Sequence, residues 1–186
     1  VLSFGHDGRA VRRLGVTGAL TVFAPAAGFA ANLLGACGIL ANFAWPLFHR
    51  RESMLAAQAT GCVFFTAHFV LIDATTGAVM ATFAGVQALL AIPLGSRPGF
   101  RVVYLLTLPL TAAALAVTWH GVPSLFAAIG LTLTSLGRYQ IVVMRFRTLI
   151  LTSIPAWSLH NFLVGSIPGL LSDALTLASG GWVLFS

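Results

Sequence analysis

Lysine is absent from these 186 residues, only four residues are acidic, and charged side chains of every kind make up 8% of the chain. Soluble domains carry about 25% charged residues. A water-facing globule of this composition would have almost nothing to cover its surface with. The missing lysine also excludes a retinal pigment, whose Schiff base needs that amine. No glycine-rich phosphate loop with a lysine, no Cys-x-x-Cys, no His-Glu-x-x-His and no Gly-x-Ser-x-Gly elbow occurs. Four carboxylates, none paired at active-site spacing, leave little for general acid–base work. The expectation is a protein that is not an enzyme and carries no cofactor motif. Two cysteines, Cys37 and Cys62, lie inside apolar stretches and read as small core residues rather than a disulfide.

What is present is hydrocarbon: 58% of residues are apolar and the mean hydropathy is +0.95. That describes an all-α integral membrane protein. Spans of about 20 residues are needed to cross the bilayer core. They are expected over 28–48, 54–72, 75–94, 102–119, 123–141, 146–164 and 167–185, seven helices with short connections. The net charge of +6 comes from ten arginines in short clusters, which read as topology signals and not as a nucleic-acid face. Arg50, Arg51, Arg97, Arg101, Arg138, Arg145 and Arg147 fall on alternate connections, which predicts that those connections face the cytoplasm. Residues 1–25 form an N-terminal extension, read as an interfacial or additional helix or as a signal peptide; 26–186 form the membrane domain.

Displacing the chain by 92 residues aligns Phe65, His68, Leu71 and Gly77 with Trp157, His160, Leu163 and Gly169. Both copies read aromatic-x-x-His-x-x-Leu-x-x-x-x-x-Gly. The two histidine helices lie four spans apart and point the same way. The repeat is therefore parallel: one unit over 28–94, a linker helix over 102–119 and a second unit over 123–185, a 3+1+3 plan.

At these residues the chain resembles the YgjV-type family of bacterial inner-membrane proteins. The likeness rests on Arg50-Arg51, Gln58 and His68-Phe69 with Leu71, then Trp157-x-x-His160-Asn161-Phe162 leading to Gly165-Ser166-Ile167 and Gly169. It covers about Phe29 to Phe185. It implies a multi-pass protein of the bacterial inner membrane. It also implies a distant similarity to the PQ-loop and SWEET-like transporters of 3+1+3 plan, although no proline here is followed by glutamine.

Ionisable groups inside a membrane are functional candidates by default. The expected solute site comprises His68, His160, Asn161, Trp157, Gln58 and Asp173. Three readings of the histidines stand side by side: packing bonds to neighbouring helices, a solute or proton pathway, and bis-histidine haem ligation. Asp173 is read either as a charge that favours its helix N-terminus or as a coupling carboxylate close to His160. Trp45, Trp119 and Trp182 read as belt residues, and the Arg50-Arg51 and Arg145-Arg147 groups as headgroup contacts. The expected partners are the lipid bilayer, a small solute, and a larger membrane complex or a second copy; nucleic acid is not expected. Two functions follow: a small-solute transporter, or a non-catalytic subunit packed against a larger complex.

Overall fold

The computed structural model describes residues 28–186 apart from 96 and 98; the N-terminal extension lies outside the described residues. All regular structure in that part is helical. The helices are α1 Phe29–Ala44, followed by a 3-10 turn Trp45–Leu47, α2 Arg51–Leu71, α3 Thr75–Leu94, α4 Phe100–Val117, α5 Val122–Arg138, α6 Val143–Leu151, α7 Ile154–Leu163 and α8 Ile167–Phe185. Four stretches, Phe29–Leu47, Arg51–Leu71, Thr75–Leu94 and Ile167–Phe185, are long and apolar enough to cross a membrane.

Local chemistry sets the boundaries. Pro123, Pro155 and Pro168 stand in the first turns of α5, α7 and α8, where a missing N–H costs nothing. Asp73 (φ 58°) and Gly165 (φ 71°) turn the chain between α2 and α3 and between α7 and α8. Only glycine, and less readily Asp or Asn, enters that left-handed region without strain. Each turn is closed by the same bond pattern: Ala74 N to Phe69 O at 2.9 Å, and Ser166 N to Asn161 O at 2.8 Å.

The expected span over 146–164 is corrected to two helices. Pro155 has no N–H to give the carbonyl of Leu151, and Thr152 and Ser153 turn their hydroxyls back onto Leu149 O and Ile150 O. The expected end at 141 also moves, because α5 stops at Arg138.

The bundle is large outside and small inside. Phe29, Leu40, Val63, Val117, Trp182 and Phe185 are exposed, the surface expected of helices that meet lipid. Apart from Thr76 and Met80, the buried residues of α3 are Gly77, Ala78, Ala81, Ala84, Gly85, Ala88 and Ala91, which lets neighbouring backbones come close. Helix α1 packs on α2 and α8, α2 on α3, α3 on α5, α5 on α7, and α7 on α8, which closes a ring. Helix α4 leans on α5 and α3 from outside it.

Candidate functional site: a central cavity and two buried histidines

His68 on α2 is completely buried and His160 on α7 is 1% exposed. His68 Nδ1 donates to Ala31 O on α1 at 2.8 Å, and His160 Nδ1 donates to Pro123 O on α5 at 2.9 Å. These bonds fix the tautomer: with the proton on Nδ1, Nε2 is an acceptor. His68 Nε2 accepts from Ser166 Oγ at 2.8 Å. His160 Nε2 is buried with no partner. An aromatic ring stands edge-on to each imidazole at 6.0 Å, Phe65 beside His68 and Trp157 beside His160. Each of those rings in turn lies against a glycine on the neighbouring helix, Phe65 against Gly38 and Trp157 against Gly130.

Between the helices of the ring lies a cavity of about 110 Å³. That is room for a cluster of waters or one small solute. Polar groups line it along its length: Asn42, Gln58, Thr134, Arg138, Asn161 and Asp173, with Trp45, Phe65, Phe69 and Trp157 as aromatic wall. Asp173 Oδ2 accepts from Ser158 Oγ at 3.0 Å and Asn161 Nδ2 at 2.9 Å. Arg138, 4% exposed, gives Nε to Gln58 Oε1 and Nη1 to Gln87 Oε1, both at 3.3 Å. The chamber therefore holds a carboxyl and a guanidinium, each held by neutral groups rather than by the other.

Residues 29–185 match the family described as bacterial inner membrane protein, Imp-YgjV. The chain belongs to that family. No curated protein and no solved structure matches it. As in the family's description, the chain belongs in the bacterial inner membrane, which agrees with the apolar exterior and the four long apolar helices.

Of the six residues expected at a solute site, Gln58, Trp157, Asn161 and Asp173 meet in the cavity wall. His68 and His160 do not line it. Each has given a ring nitrogen to a backbone carbonyl 37 residues away, a partner that no local pattern reveals. Asp173, read as a helix-terminus charge or as a carboxylate close to His160, takes its hydrogen bonds from Ser158 and from Asn161, the residue next to that histidine. Bis-histidine haem ligation through Nε2 would have to displace Ser166 Oγ from His68.

The sequence reading missed Arg138, taking it for a loop charge. A signal was available: Ser124, Ala127, Ala128, Leu131, Thr134, Ser135 and Arg138 continue one buried helical stripe. The same phase separates buried Arg51 and Arg147 from exposed Arg50 and Arg145. Arg51 and Arg147 are not headgroup contacts. Arg147 Nη2 donates to Phe48 O at 2.7 Å, and Arg51 binds three carbonyls. Trp45, expected in the interfacial belt, is 2% exposed and packs edge-on against Phe146.

The unpartnered nitrogen of His160 has an identifiable cause. Ser166 starts α8, accepts from Gly169 N at 3.1 Å and donates to His68 Nε2. The corresponding start of α3 is Ala74, which has no side-chain cap. Ala74→Ser should supply both bonds. An added cap contributes about 1 kcal/mol, and a partner for a buried acceptor about 1 kcal/mol more. The expected result is a higher unfolding midpoint in detergent, with an unchanged or lower midpoint counting against this geometry.

Proposed function

We propose that this chain is a small-solute permease, with its translocation site in the cavity between two helix triplets joined by α4. The observation that carries this reading is the cavity itself. Amide, carboxyl and guanidinium groups face one another inside a bundle whose exterior is apolar. Polar groups at membrane depth are costly and are kept where they meet water or a solute.

The reading includes a 3+1+3 plan. It is supported by contacts that recur at the 92-residue displacement. These are His68 with Ala31 and His160 with Pro123, Gly38 with Phe65 and Gly130 with Trp157, and the left-handed turn residues Asp73 and Gly165. The packing of α1 on α8 likewise corresponds to that of α5 on α3. Two such units can rock about a fixed midplane site. Seven spans with the arginine-bearing connections inside belong to the same reading. Single cysteines introduced near Arg97 and near His120 should label from opposite sides of the membrane.

The test is osmotic swelling of proteoliposomes in glycerol, glycine or L-lactate. At least one solute should enter faster than into empty vesicles. Asp173→Asn and Asn161→Ala should slow that entry by at least about tenfold, a change of roughly 1.4 kcal/mol in the barrier. His68→Ala should lower stability and leave the rate per folded molecule within about twofold. Entry no faster than into empty vesicles, or equal rates in all variants, would reject the permease.

A second reading, a subunit packed against a larger complex, draws on the histidines. Both are committed to backbone carbonyls, and many large apolar side chains stand exposed on the outer face of the bundle. Gentle solubilisation followed by sizing separates the two readings: a stoichiometric protein partner favours the subunit.

A further inference from the structure

We propose that the arginine end of the cavity is a subsite for the carboxylate of a small organic anion, held by Arg138 and Gln58. The proposal names a substrate class for the permease and rests on that reading for the purpose of binding, not for binding itself.

The argument starts from charge that has no counter-charge. Arg138 is 4% exposed, yet the ion pair found among the described residues is Arg50 with Glu52, at 4.0 Å on the surface. Of the remaining described carboxylates, Asp173 shares the cavity wall and Asp73 does not. Asp73 sits in the α2–α3 turn at the opposite end, and Asp173 is bound by Ser158 and Asn161. The Arg138 guanidinium rests on two neutral oxygens at 3.3 Å, beyond the usual length of a strong charge-assisted bond, and on the thiol of Cys62. One of them, Gln87 Oε1, also accepts from Ser135 Oγ at 2.8 Å.

The second observation is Gln58. It is 4% exposed, lines the cavity, accepts from Arg138 through Oε1, and leaves its Nε2 buried without a partner. A buried amide donor left unmade is expensive. A guanidinium short of an anion and an amide donor short of an acceptor therefore belong to one wall. One ligand with two coplanar oxygens would satisfy both. Arg51 adds to the field from the same end: its three hydrogen bonds all go to carbonyls, and the nearby Glu52 carboxylate makes its ion pair with Arg50 at the surface.

The chemistry favours a carboxylate over a phosphate. The cavity is small, with one formal positive charge in its wall at this end and aromatic side chains, Trp45, Phe65 and Trp157, around it. A planar monoanion with a short carbon body matches that wall; a hydrated dianion does not.

The experiment uses the purified full chain in detergent at fixed ionic strength. The unfolding midpoint and equilibrium binding of radiolabelled L-lactate are measured, with glycerol, phosphate and chloride as comparison solutes. Lactate should bind saturably and raise the midpoint, while glycerol and chloride should not. Gln58→Glu places a carboxylate on the guanidinium from within. It should raise the midpoint of the unliganded protein and weaken lactate binding by at least about tenfold. Arg138→Gln should lose binding as well. No saturable lactate binding to the unmodified chain, an equal shift by chloride, tighter binding of phosphate, or full lactate binding by folded Gln58→Glu would each overturn the proposal. Lactate binding with none of the three solutes entering proteoliposomes faster than empty vesicles would leave the subsite standing and remove the permease. Entry of glycerol or glycine without lactate binding would do the reverse.

Discussion

Replacing Arg51 by methionine should lower the stability of the bundle by about 3 kcal/mol, although the change removes a charge from the interior. The guanidinium donates Nε to Gln140 O at 3.0 Å, Nη1 to Ala91 O at 3.1 Å and Nη2 to Arg138 O at 2.8 Å. Ala91 and Arg138 lie in the last turns of α3 and α5, where helix carbonyls lack partners and the helix dipoles favour a cation. One side chain at the start of α2 thus closes two other helices. Methionine fills much of the volume and makes none of the bonds, so buried acceptors are left open at about 1–3 kcal/mol each where no other donor reaches them. Ala91 O keeps Gly95 N at 3.0 Å, which holds the total below the sum of three. Lysine should recover only part of the loss, because a point charge cannot reach three carbonyls in fork geometry. Arg50 is the internal control. Its side chain is 83% exposed and pairs with Glu52 at 4.0 Å, so Arg50→Met should cost less than about 0.5 kcal/mol. Thermal or SDS unfolding of the three variants decides the matter, and equal effects at 50 and 51 would show that the buried cap contributes nothing.

Gly130→Ala should cost about 2–3 kcal/mol by overpacking. A Cβ at 130 would lie 2.9–3.0 Å from Nε1, Cε2 and Cδ1 of the Trp157 indole. The ring cannot easily yield. Its Nε1 donates to Thr134 Oγ1 at 3.3 Å, and the ring packs in a T-shaped contact with His160. Moving it would shift both the cavity wall and the residue that holds α5. The added methyl should be far better tolerated when the indole is cut back. Gly130→Ala combined with Trp157→Ala should therefore be less destabilised than the sum of the single changes. Strict additivity would mean that the contact is slack.

Much of this was legible in the chain. The apolar runs located α1 to α5 and α8, because a bilayer demands continuous apolar length and the connections are marked by Pro, Gly and Asp. The break between α6 and α7 was less legible, since Pro155 can either open a helix or kink one. At the site, Asn161 and Asp173 were readable together: they flank one tight turn, so residues 12 apart come within hydrogen-bonding distance. The histidines were found as buried polar groups, with bonds to neighbouring helices among their readings, but the partners themselves could not be named. Their partners, Ala31 and Pro123, offer only a backbone oxygen, which carries no residue identity. Arg138 was hidden by its type. A basic residue near a helix end looks like a topology signal unless its phase on the helix is counted.

The burial of Trp45 has a practical side. Trp45 and Trp157 face the cavity, whereas Trp119 and Trp182 are 53% and 75% exposed on the apolar exterior. The four indoles thus form two optical populations, one viewing the chamber and one viewing the acyl chains. Brominated lipids would dim the outer pair, and with Phe at 119 and 182 the remaining emission would come from the chamber alone, an intrinsic gauge of its wetness and filling.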